Sequence, residues 1–142
     1  MTVEGSVTIE NTLDVQAMAN VCVVTGNVIV EANGMTSISL PVLASVGGNV
    51  SIEFNAALTS ISLPVLESAA GSVSIFNNDA LTSISLPVLA SAGGVFIESN
   101  AALTSISLPV LANVGGDVFI ESNDALTTCT GALIVNVGDC VQ

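Results

Sequence analysis

One motif recurs along the whole chain and limits what it can fold into. The stretch Leu58 to Leu66, reading Leu-Thr-Ser-Ile-Ser-Leu-Pro-Val-Leu, returns from Leu81 and Leu103, begins as Met35 in its first clear copy, and restarts at Leu126. The starts at 35, 58, 81, 103 and 126 lie 23, 23, 22 and 23 residues apart. A second piece, Gly-Gly-x-Val-x-Ile-Glu-x-Asn, fills the space between copies, as in Gly47 to Asn55 and Gly115 to Asn123. A degenerate earlier copy runs from Gly5 through Val7, Ile9, Glu10 and Asn11, and Leu13 to Thr25 stands where later copies carry the Leu-to-Gly stretch. Units of this length cannot bury an apolar face alone, so they must stack on their neighbours. The expected organisation is one domain of about six coils: degenerate N-terminal coils over 1–34, regular repeats over 35–125, and a C-terminal coil and cap over 126–142.

Both halves of the repeat alternate with period two between Pro and Gly punctuation, which specifies short strands. Ile61 and Leu63 point one way and Ser60 and Ser62 the other. Likewise Val50 and Ile52 face inward while Ser51 and Glu53 face outward. A period near 23 is too short for two helices, so the chain is expected to be all-β, a right-handed β-solenoid with little helix. The Pro-Val-Leu-Ala-Ser-Val arm forms a third side, with Leu43, Leu66, Leu89 and Leu111 filling the core beside Val46, Ala69, Ala92 and Val114.

Composition then narrows the chemistry. The 142 residues include 12 Asp and Glu, no Lys or Arg, and no His, for a formal charge of -12. Without cationic side chains the chain cannot neutralise phosphates, so nucleic acid is not an expected partner. His bases and Lys Schiff bases are likewise excluded, and no enzyme is expected. Paired carboxylates alone can run glycoside hydrolysis, but a monotonous acidic column with few aromatics does not suggest it. No apolar run approaches the roughly 18 residues of a membrane span, and Met1 to Glu4 show neither half of a secretory leader.

In a stacked coil each repeat position becomes a column, so candidate sites are read by column. Asn11, Asn33, Asn55, Asn78, Asn100 and Asn123 form one at the end of the second strand, expected to be a structural ladder satisfying turn backbone. Glu10, Glu31, Glu53, Glu98 and Glu121 form another, with Phe76 in the coil that interrupts it. Stacked like charges call for compensation, and two readings stand: carboxylates bridged by calcium, or a solvated acidic edge that discourages lateral sheet pairing. No other cofactor is expected. The least usual columns are Ser37, Ser60, Ser83, Ser105 and Thr128, then Ser39, Ser62, Ser85, Ser107 and Thr130, with Thr36, Thr59, Thr82, Thr104 and Thr127 at the strand entrance. These would make an uncharged hydroxyl grid spaced about 4.8 Å across strands and roughly 6.7 Å along them. Its geometry resembles the ice-binding faces of antifreeze β-solenoids, and the alternative reading is an ordinary solvated strand face. The outward file of the second strand reads Thr8, Ile29, Ser51, Ser74, Phe96 and Phe119, either an exposed contact or a patch covered by a turn.

Three cysteines leave one over if a disulfide forms. Cys129 and Cys140 are expected to pair, pinning a final strand across the open end of the solenoid and implying an oxidising compartment. Cys22 is then a free thiol or an intermolecular bridge. No cap is evident before Gly5, which suggests further sequence upstream or end-to-end packing of copies.

The pattern L-T-S-I-S-L-P-V-L-x-S-x-G-G-x-V-x-I-x-x-N resembles the receptor L-domain version of the leucine-rich repeat, over nearly all of the chain. That resemblance implies a secreted or cell-surface module without catalytic activity, serving adhesion, surface structure or ligand recognition. The alternative is an ice-binding protein acting through the Ser/Thr face. Extracellular ligand, ice surface and self-association are the partners in view.

Overall fold

The computed structural model describes residues 1–32 and 34–141. The chain winds into a parallel β-solenoid of about six coils. Each full coil has three straight rows, and every strand pairs with its counterparts one period away.

The first row is short: Thr2–Val3, Val23–Val24, Ser45–Val46, the start of Ser68–Phe76, the start of Ser91–Glu98, and Asn113–Val114. The second row contains Val7–Ile9, Val28–Val30, Val50–Glu53, the later parts of those two long strands, and Val118–Glu121. Because Ser68–Phe76 and Ser91–Glu98 run through both rows, the two join as one ten-stranded sheet. The third row is a separate five-stranded sheet of Ser37–Ser39, Ser60–Ser62, Ser83–Ser85, Ser105–Ser107 and Thr128–Thr130. Parallel strands need long crossovers, and here the other two sides of the coil supply them.

Alternation fixes which side chains turn inward. Ile38, Ile61, Ile84 and Ile106 are buried between outward hydroxyls, and Val50, Ile52, Val73, Ile75, Val95 and Ile97 are buried from the opposite wall. The corner after the Ser/Thr sheet closes the third side: Leu66 N–H donates to the Leu63 carbonyl at 3.4 Å, and the same turn recurs at Leu89 and Leu111. Pro64, Pro87 and Pro109 lie inside those turns, where a missing N–H and a fixed φ cost nothing. Leu43, Leu66, Leu89 and Leu111 fill the core beside buried Val46, Ala69 and Ala92, with Val114 packed at its margin, as expected.

The glycine corner between the first and second rows has a reason visible at Gly48. A Cβ there would overlap Asn27 Oδ1, and that oxygen is needed to accept from Asn49 N–H at 2.8 Å. Asn49 Oδ1 in turn accepts from Ser72 N–H, and Ser6 Oγ accepts from Asn27 N–H. A short polar column thus lines this corner.

Two expectations are corrected at the ends. The first coil has no Ser/Thr strand; Thr12–Ala17 is an α-helix in its place, begun by Asn11, whose Oδ1 accepts from Asp14 N–H at 3.1 Å. Leu-Asp-Val-Gln-Ala alternates as a strand would, but Leu, Gln and Ala are good helix formers and Asn is a strong N-cap, so the segment closes as a short helix. Thr12 and Val15 line a shallow cleft with Met35, Thr36, Ser37 and Ser39, so the helix flanks the first strand of the five-stranded sheet. The helix thus accompanies the end strand of the Ser/Thr sheet, while Thr2–Val3 and Val7–Ile9 are the end strands of the ten-stranded sheet.

At the other end the Cys129–Cys140 disulfide forms, but the enclosed segment is no strand. Turns lead from Gly131 into a 3-10 turn at Gly138–Cys140, with Ile134 and Cys140 buried. Gly138 has φ +49, and a Cβ there would overlap the Ile120 carbonyl, so the cap lies directly on the last second-row strand. Alternating strands could not make that close, curved approach. Cys22 is a free, half-buried thiol.

Candidate functional site

The Ser/Thr sheet carries the candidate hydroxyls in continuous register. Ser37, Ser60, Ser83, Ser105 and Thr128 align as one file, and Ser39, Ser62, Ser85, Ser107 and Thr130 as the other, with no shift between strands. All point outward; Ser105 and Ser107 are half-buried and the rest exposed. The eight serine hydroxyls have no protein hydrogen-bond partner among the described residues. No charged residue belongs to either file.

The entrance threonines behave differently. Thr59 Oγ1 donates to the Thr36 carbonyl at 2.9 Å, Thr82 Oγ1 to the Thr59 carbonyl at 3.2 Å, Thr104 Oγ1 to the Thr82 carbonyl at 3.1 Å, and Thr127 Oγ1 to the Thr104 carbonyl at 3.2 Å. Their hydroxyls bind coil to coil. The candidate face is therefore the two inner files, and the Thr column frames it.

The following corner adds a feature the strand alternation did not reveal. Val42, Val65, Val88 and Val110 form an exposed column, 36%, 39%, 39% and 49% accessible, beside the hydroxyl sheet. The signal was present in the repeated Pro-Val, which places Val outward while both flanking leucines are buried.

The Asn column is a ladder, as expected, but its membership shifts. Asn55, Asn78, Asn100 and Asn123 are buried. Asn78 shows the pattern: its Nδ2 donates to the Ile52 carbonyl at 2.9 Å and to Asn100 Oδ1 at 3.2 Å, while its Oδ1 accepts from Asn55 N–H and Nδ2 at 3.2 and 3.0 Å. Asn11 is not a rung; it is exposed and caps the helix. The N–H that meets Asn55 Oδ1 belongs to Ala32, and Asn33 lies outside the described residues. The alignment slipped because Phe54, Asn77, Ser99 and Ser122, one per later coil, occupy the left-handed region at φ 55 to 59 just before each rung. No sequence pattern announces that inserted residue. At the far end Asp139 Oδ2 accepts from Asn123 N–H at 2.7 Å and from its Nδ2 at 3.1 Å, so a carboxylate of the cap terminates the ladder. Asp139 was not singled out by sequence, which could not place it against Asn123.

The acidic column also aligns. Glu98 pairs with Glu121 and Phe76, and Glu53 with Phe76, while Glu10 and Glu31 follow the paired Ile9 and Val30. Among the described residues no three Asp, Glu or Cys side chains gather as a metal-holding group. Phe96 and Phe119 stack at 5.5 Å on the same wall, and Phe119 is 37% exposed, so no turn covers it. Phe54 and Phe76 make a second, edge-on pair at 5.5 Å. Comparison with family models, with curated proteins and with solved structures finds no match to this chain.

Proposed function

We propose that the chain is a secreted or cell-surface repeat module of the receptor L-domain type, without catalytic activity, whose recognition face is the five-stranded Ser/Thr sheet. The observation that carries this reading is the pair of uninterrupted, uncharged, outward hydroxyl files. Such a face repeats in two dimensions, so it suits an extended neutral surface that also presents hydrogen-bonding groups at regular intervals, such as a wall polysaccharide. A disulfide-closed end accords with an oxidising compartment. The non-catalytic part of the reading rests on the absence of His, Lys and Arg and on carboxylates strung along a column.

Ice is the second reading, favoured by the Val42, Val65, Val88 and Val110 column. Methyl groups that the serine files lack stand at their border.

Sedimentation with insoluble cellulose, chitin and β-glucan tests the first reading, and inhibition of ice recrystallisation tests the second. Placing Ser62→Tyr and Ser85→Tyr in the middle of the grid should abolish whichever binding the parent shows, without loss of stability, since both side chains are exposed. Binding left intact by the double variant would contradict the assignment of the face, and a parent inert in both assays would contradict the function.

A further inference from the structure

The wall opposite the hydroxyl sheet carries a differently built site. Ile29, Val30, Glu31, Ser51, Glu53 and Phe54 line one pocket across the second and third coils. Phe54 is 62% exposed, yet its position is defined: its backbone sits in the left-handed region at φ +57 and its ring packs edge-on against Phe76. Glu31 and Glu53 are successive members of the acidic column, and neither carboxylate has a hydrogen-bond partner among the described residues. The pocket thus combines an aromatic wall, an aliphatic floor and two unpaired carboxylates.

The geometry points to this pocket as a seat for a lysine or arginine side chain of a basic peptide segment. The alkyl stem would lie on Ile29 and Phe54, while the charged head meets Glu31 and Glu53 and the ring face. Charge complementarity selects the occupant: no Lys, Arg or His exists in the chain to neutralise these carboxylates from within. A second copy is disfavoured, because it would bring another acidic column against this one with no cation on either. An anionic lipid surface is repelled for the same reason.

The wall also explains why the occupant is a peptide rather than a single small cation. Glu98 and Glu121 repeat the carboxylate pair beside stacked Phe96 and Phe119. Phe96 lies low across the sheet, since a Cβ on Gly94 would come within 2.9 Å of its Cε2. The two pairs are centred three strands apart, about 14 Å at the usual strand spacing. An extended chain covers that distance in about four residues, so two basic side chains so separated would engage both.

Calorimetric titration of the intact protein with a synthetic peptide carrying two lysines four residues apart tests the proposal. Phe54→Asn is the decisive variant: it leaves net charge unchanged and copies Asn77, which holds the same left-handed position one coil on. It should weaken binding about threefold through loss of the ring. Glu31→Gln with Glu53→Gln should weaken it about tenfold, and Glu4→Gln with Glu67→Gln, the same charge change elsewhere, less than about twofold. Equal losses from both glutamate pairs, or full affinity in Phe54→Asn, would reduce the effect to diffuse attraction by an acidic protein and overturn the site. Equal affinity for a peptide with adjacent lysines, or for spermine, would overturn the two-point peptide assignment.

Discussion

Asn78 is where one side chain does most for the fold. It closes hydrogen bonds with both neighbouring coils: to the Ile52 carbonyl and both nitrogens of Asn55 on one side, and to Asn100 Oδ1 on the other. Asn78→Ala strands buried donors and an acceptor together, each at about 1–3 kcal/mol. We expect a loss of about 3 kcal/mol or more in urea denaturation, and a loss under about 1 kcal/mol would deny the ladder its role. Asp139 meets the same demand at the end of the column. Asp139→Ala should cost about 2 kcal/mol and Asp139→Asn less, because the amide keeps an acceptor oxygen for Asn123. If the two variants melt alike, the terminating contact does not matter. The rungs themselves were legible in the sequence as a recurring Asn at the turn that ends the second strand, where an Asn amide satisfies backbone groups. Their register was not: the left-handed residue before each rung varies as Phe54, Asn77, Ser99 and Ser122, so chemistry gives no sign of a shared backbone state. Phe54 escaped notice for the same reason, since alternation ends at Glu53 and says nothing of where the next ring goes.

At the level of elements, strands were readable and ends were not. Alternation identified the Ser-Ile-Ser and Val-x-Ile strands because one face of each is buried and a one-residue slip would invert it. The helix at Thr12–Ala17 was missed because it occupies a strand's place in the repeat, and only its own composition and Asn11 mark it. The C-terminal cap was seen as a disulfide but misread as a strand, since its shape comes from Gly131 and Gly138 approaching neighbouring backbone. Its cross-link closes a short loop, with Cys129 and Cys140 separated by 11 residues. On chain-entropy grounds, reduction should cost about 3 kcal/mol. Amide exchange checks this locally: after reduction, protection should fall over residues 118–141 and persist over 60–98. A uniform loss of protection would show that the cap is not a separable unit.

For the whole molecule, the solenoid sorts its chemistry by face. Hydroxyls form one sheet, the aromatic rings and a column of carboxylates share the opposite wall, and valines mark the corner after the hydroxyls. A charge of -12 with no cation would discourage most contacts, yet on this fold it leaves the Ser/Thr files neutral. Each coil touches only its neighbours, so stability accumulates by stacking and a face can vary without disturbing the core. That separation makes the central claim testable in one comparison. Retention of the parent on its neutral solid, polysaccharide or ice, is measured beside a variant with Ser62→Tyr and Ser85→Tyr and a variant with Glu53→Gln and Glu98→Gln. Loss of retention in the first variant alone is the predicted result. Retention that survives the tyrosines, or that falls instead with the glutamates, would contradict the assignment of the hydroxyl sheet as the recognition face.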